Sequence, residues 1–174
     1  MKRSIKNPVL LLLILMSFIT IIIPSCESLG KDPEFIGTWE FSVKITSDEI
    51  TYNTTRTIIM TKNSWEETYV IQRENSASIS AIIGTSGDLD YSHSHLTFDL
   101  KELGTCTLDE NEICTGIVEW HGEGSEYWED NEQFFEKKVE GIYESGTSTM
   151  RLTRDLNHDG DTLDTGEDVT FEMI

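Results

Sequence analysis

The run Asp155-Leu156-Asn157-His158-Asp159-Gly160-Asp161 sets oxygen-bearing side chains at alternate positions, with a glycine sixth in line. That spacing lets a calcium loop converge its oxygens on one ion, the glycine permitting the sharp turn that brings a backbone carbonyl round. Asp155, Asn157, Asp159 and Asp161 are the expected ligands, with Asp164, Glu167 or Asp168 completing the shell. The match departs at the twelfth position, which falls on Gly166, with Glu167 one residue late. Both flanks read as strands, so the loop would sit in a β-hairpin. Six carboxylates within 14 residues repel one another unless a cation neutralises them. An Asp/Gly-rich turn without an ion is the plainer alternative. Calcium is the expected cofactor, held weakly at about 10⁻⁴ M as in other extracellular modules. Its part would be to staple the last hairpin.

Other chemistry-bearing residues form thinner constellations. His93 and His95 lie two apart, with Asp88 and Asp90 upstream. They could face one transition metal, but Asp88–Ser94 reads as a solvated polar turn. His121 and His158 stand alone. The chain has no Gly-x-Ser-x-Gly elbow, no His-Glu-x-x-His and no glycine-rich phosphate loop. Glu123, Glu126, Glu129, Asp130, Glu132 and Glu136 are abundant carboxylates, which is not the same as a paired acid and base. Trp120, Tyr127, Trp128, Phe134 and Phe135 could line a barrel mouth or pack as ordinary core. No nucleophile–base pair or metal triad emerges, so a non-enzymatic protein is expected.

The leader speaks more plainly. Lys2, Arg3 and Lys6 precede 15 mostly apolar residues, Val9–Ile23. A bilayer-spanning helix needs roughly 20 apolar residues, so this run suits a signal sequence. It ends in Ile23-Pro24-Ser25-Cys26. That sequence resembles the lipobox of bacterial lipoproteins, in which the cysteine thiol receives a diacylglycerol and becomes the new N-terminus. The resemblance implies cleavage after Ser25, lipid on Cys26 and a lipid-anchored place in the bacterial cell envelope, the outer membrane before the inner. Cleavage would remove three of the 13 basic residues and none of the 32 acidic ones, leaving 10 against 32 and a net charge of −22. Such a surface repels nucleic acid and anionic head groups. Cys106 and Cys114 then remain as an even pair eight apart, and in an oxidising compartment they are expected to form a disulfide around a local turn.

These groups must be positioned by strands. After a polar tether, residues 26–34, the pattern has period 2 almost throughout. Trp39, Phe41, Val43 and Ile45 alternate with polar residues, as do Leu96, Phe98 and Leu100, and Val169, Phe171 and Met173. Less regular strands are expected at Tyr52–Met60, Trp65–Arg73, Ser78–Gly84, Gly116–His121, Glu126–Glu136, Lys138–Tyr143 and Thr147–Arg154. Turn signals such as Ser86-Gly87-Asp88 and Gly122-Glu123-Gly124 separate them. Tyr127–Lys138 is the segment most tolerant of a helix. The expected fold is all-β: a single antiparallel up-and-down β-barrel of about 8–10 strands over residues 35–174, because closure removes sticky edges.

Phe35-Ile36-Gly37-Thr38-Trp39-Glu40 resembles the Gly-x-Trp opening of lipocalin-like domains. Val139-Glu140-Gly141-Ile142-Tyr143, followed by Ser148-Thr149-Met150-Arg151-Leu152-Thr153, resembles the Gly-x-Tyr … Leu-x-Leu-Thr hairpin of bacterial lipocalin-like lipoproteins. The family's Thr-Asp-Tyr and final-strand arginine are not in the sequence. The resemblance implies that Trp39 plugs the barrel base, with Arg151 or Arg154 over its ring. It also implies binding of a small apolar or amphipathic ligand. The alternative is a side-chain-filled barrel whose acidic loops contact a partner; a barrel of about eight strands can be either.

Overall fold

Among the described residues, alternating apolar and polar residues give nine antiparallel strands. The structure, a computed structural model, describes residues 32–156, 161–163 and 167–174. The strands are β1 (Gly37–Ser47), β2 (Ile50–Met60), β3 (Ser64–Arg73), β4 (Ile79–Ser92), β5 (His95–Leu108), β6 (Cys114–Gly122), β7 (Lys138–Ser145), β8 (Thr149–Arg154) and β9 (Asp168–Met173). One short helix, α1 (Glu126–Asn131), and a 3-10 turn (Glu132–Phe134) link β6 to β7. The sheet closes on itself in the order β1-β2-β3-β4-β6-β5-β7-β8-β9, with β4 also paired directly to β5. The expected closed all-β architecture is therefore present, with one departure from a plain meander. One edge of β5 is shared: His95–Asp99 pairs with β7, and Glu102–Leu108 pairs with β6.

Two segments differ from the sequence expectation. Ser86-Gly87-Asp88 is not a turn, and β4 runs through it as a single 14-residue strand. The register with β5 shifts there, between Ser86 and Gly87. A β-carbon on Gly87 would lie 1.9 Å from the Asp99 carbonyl oxygen, so glycine marks a bulge where two backbones nearly touch. His95 begins β5 and Asp88–Ser92 ends β4, so the polar turn shrinks to His93-Ser94. Glu126–Glu136, expected as a strand, is instead helical at its start, within the stretch most tolerant of a helix. Ser125 caps α1 by accepting the Trp128 N–H at 3.2 Å, and Glu126 and Glu129 place negative charge on the first turn.

Register fixes which side chains face inward. Trp39, Phe41, Val43 and Ile45 stand opposite Ile58, Arg56, Thr54 and Tyr52. Trp65, Glu67 and Tyr69 stand opposite Gly87, Thr85 and Ile83. One end of the ring is solid: Phe35, Trp39, Leu96, Phe98, Met150, Leu152 and Phe171 are essentially fully buried. At 14 residues, β4 and β5 are long, whereas β8 and β9 have six each. Strand β9 pairs with β1 at Met173–Trp39 and Glu172–Glu40. The wall is thus tall on one side and low on the other. Inward-facing Val43 and Ile45, above the low side, are 39% and 46% exposed.

Candidate functional site

Above the packed end lies a cavity of about 330 Å³, lined by Trp65, Tyr69, Phe98, Leu100, Phe135 and Leu156 among others. Glu67 and Arg154 supply its charged floor, and Glu136 carries charge at its edge. The volume is at the low end of small-molecule sites, and the composition, mostly apolar with a few converging polar groups, is typical of them.

The floor is built across the ring. Arg56 on β2, Glu67 on β3 and Arg154 on β8 all occupy inward positions of their strands. Arg154 is 4% exposed and Glu67 2%. Arg56 Nε donates a hydrogen bond to Glu67 Oε1. Arg154 Nη2 donates to both Glu67 oxygens, at 3.1 and 3.0 Å. Aromatic faces complete the setting. The Arg56 guanidinium lies 5.0 Å from the Tyr69 ring and 5.2 Å from Phe171, and Arg154 lies 5.1 Å from Phe98. Such stacking suits a planar, weakly hydrated guanidinium. Burial, then the negative charge of Glu67, push the Tyr69 hydroxyl well above the ordinary tyrosine range, partly opposed by Arg56. Gly141 on β7 stands opposite Arg154, and a β-carbon there would come within 2.8 Å of Arg154 Cγ. The Gly-x-Tyr hairpin therefore makes room for the arginine stem.

The rim comes from the β6–β7 connection. Trp128 is buried, and its Nε1 donates to Glu132 at 2.8 Å. Lys137 pairs with the same carboxylate at 2.9 Å. This anchored turn presents Phe135 to the cavity and leaves Phe134 74% exposed beside it. The aromatic cluster read from sequence is therefore split. Phe134 and Phe135 line the cavity, and Trp128 anchors the turn. Tyr127 stacks on His121 at 4.5 Å, and Trp120 lies over Gly84 and Gly104.

The remaining sequence candidates disperse. Trp39 is fully buried and donates its Nε1–H to the Phe35 carbonyl at 2.8 Å. Neither arginine covers it. Arg154 stacks on Phe98, and Arg151 sits outside, where Asp168 accepts from its Nε at 2.8 Å and its Nη2 at 2.6 Å. Their alternation on β8 explains this, since 151 points outward and 154 inward. Cys106 and Cys114 form the expected disulfide, with Cα atoms 5.6 Å apart. In the acidic loop, Glu167 is buried and accepts the Leu156 N–H at 2.8 Å, while Asp161 accepts the Leu163 N–H at 2.9 Å. Asp155 is half-buried, whereas Asn157, Asp159 and Asp164 lie outside the described residues, as does Cys26. Among the described residues no three His, Cys, Asp or Glu side chains cluster as metal ligands.

Sequence reasoning passed over Arg56 and Glu67. A signal was available: Glu67 falls between Trp65 and Tyr69 on the inward parity of its strand, and Arg56 precedes Ile58 in the same way. Set against protein-family models and curated protein sequences, the chain matches none.

Proposed function

We propose that this chain is a lipid-anchored lipoprotein of the bacterial cell envelope, lipocalin-like, that binds one small apolar or amphipathic ligand inside its barrel without catalysing a reaction. The observation that carries the reading is the cavity of about 330 Å³ whose walls are aromatic and aliphatic and whose floor is a buried ionic cluster. A barrel meant only as a scaffold gains little from holding charges where apolar packing would serve stability as well or better. The leader and Cys26 support the anchor. In the same reading calcium binds Asp155, Asn157, Asp159, Asp161, Asp164 and Glu167 and ties down the loop between β8 and β9. The buried Glu167, reaching back to Leu156, fits such a closure. Asp159→Ala is then expected to lower the melting temperature only when calcium is present; an equal loss with and without calcium would remove the ion from the account.

The packed end of the barrel favours a second reading, a structural or interaction lipoprotein with no ligand. Native mass spectrometry of the full chain, purified from its own membranes with calcium present, separates the two. A bound small molecule of a few hundred daltons, lost on denaturation, supports the carrier. Bare protein supports the second reading.

A further inference from the structure

We infer that the ligand is a single-chain amphiphile with an anionic oxygen head group, bound head-inward on Arg154. The inference rests on the carrier reading above and adds the chemistry and the orientation of the cargo.

The argument starts from the donors and acceptors at the floor. A carboxylate accepts at about four lone-pair sites. Glu67 already takes Arg56 Nε and Arg154 Nη2 on Oε1 and Arg154 Nη2 again on Oε2. Most of its acceptor capacity is spent on two arginines, so it offers little to a cationic or hydroxylic guest. Arg154 is in the opposite state. A guanidinium carries five N–H donors. Only Nη2 is engaged, and Nε and Nη1 make no hydrogen bond among the described residues. This side chain, 4% exposed, lines the cavity. A buried cation with idle donors facing an apolar cavity calls for an acceptor, and a charged one binds most strongly. Glu67 and the face of Phe98 hold the guanidinium in place, so the arginine itself adds little ordering cost to binding.

Depth sets the orientation. The charged pair is buried at the floor, whereas Phe134 at the rim is 74% exposed. A polar head therefore goes in first, and an alkyl chain rises past Trp65, Phe98, Leu100 and Phe135 towards the mouth. The strongly acidic surface opposes the approach of an anion but acts through solvent, where the Debye length is about 10 Å at 0.1 M salt. The buried contact is screened far less. Added salt should thus speed uptake.

The test uses the full chain in nanodiscs of zwitterionic lipid, with empty nanodiscs subtracted. Four probes share one tail: decanoate, decyl phosphate, decanol and decylamine. At least one of the two anions is expected to bind about tenfold or more tighter than decanol, with decylamine weakest. Which anion leads distinguishes a carboxylate cargo from a phosphate one. Arg154→Gln should cost the anions far more than decanol and so collapse the head-group preference. Where that variant does not fold, the head-group series in the unaltered protein decides alone. Equal affinities for anion and alcohol, or a preference for the amine, overturn the head-group inference and leave the carrier reading standing. No binding of any probe overturns both.

Discussion

Arg154 Nη2 lies 3.0 Å from one oxygen of Glu67 and 3.1 Å from the other, joining β8 to β3 across the inside of the ring and across 87 residues of chain. The two strands are not neighbours in the sheet. The pair is thus a tertiary strut as well as the floor of the cavity. Buried ion pairs add little net stability over apolar packing, but breaking one strands a charge.

Glu67→Ala should therefore lower the unfolding free energy by about 3–5 kcal/mol, leaving two buried guanidinia without their shared carboxylate. Arg154→Ala should be costly as well. The double variant should lose clearly less than the sum, because the two residues act as one unit. Urea unfolding of the four proteins measures this coupling. Strict additivity would mean that the pair is incidental to the fold.

The bulge in β4 makes a sharper steric prediction. Gly87→Ala would push a methyl group into the Asp99 carbonyl, 1.9 Å from the new β-carbon, so β4 and β5 must part or shift register. A loss of at least about 2 kcal/mol is expected, towards the upper end for overpacked sites. The neighbouring exposed Asp88→Ala should change the urea midpoint hardly at all. Comparable losses at 87 and 88 would argue against the bulge.

Tyr69 should shape the alkaline limb of stability. Its hydroxyl is raised in the folded protein, first by burial and then by Glu67. The unfolded chain ionises near the ordinary value of about 10. Above that pH the unfolded state releases a proton that the folded state keeps, so stability falls as pH rises from about 10 towards the folded value. Below about 10 the contribution is fully present. Melting temperatures at successive pH values should fall less steeply above pH 10 in Tyr69→Phe than in the unaltered protein. Parallel curves would place the ionisation elsewhere.

The disulfide closes a short hairpin, Cys106 to Cys114, with a separation of 8. Cys106→Ala with Cys114→Ala should reduce stability by about 2–3 kcal/mol on the chain-entropy account. Reductant should lower the melting temperature of the unaltered protein and leave the double variant untouched.

Much of the barrel was readable because burial on one face imposes period 2. Trp39, Phe41 and Val43, Leu96, Phe98 and Leu100, and Val169 and Phe171 announce their strands. Where the pattern failed, a local demand had overridden it. Ser86-Gly87-Asp88 imitates a turn because a bulge needs the same glycine. Helix α1 buries one residue, Trp128, and so carries no helical stripe. The floor of the cavity was hidden for a different reason. Glu67 is one of 32 acidic residues, and its partners stand 11 and 87 positions away. Only its place between Trp65 and Tyr69 sets it apart from the solvated majority. Arg154 was one of two arginines expected over Trp39, but its guanidinium lies over Phe98 instead, and Trp39 donates to the Phe35 carbonyl.

The central claim, that the barrel carries a ligand in this cavity, is tested most directly by native mass spectrometry of the full chain beside its Ile83→Trp variant. Ile83 lines the cavity and is 42% exposed, so an indole there fills space without disturbing the packed end. The account predicts a small molecule retained by the unaltered protein and missing from an equally folded Ile83→Trp. Bare protein in both, or the same cargo in both, would contradict it.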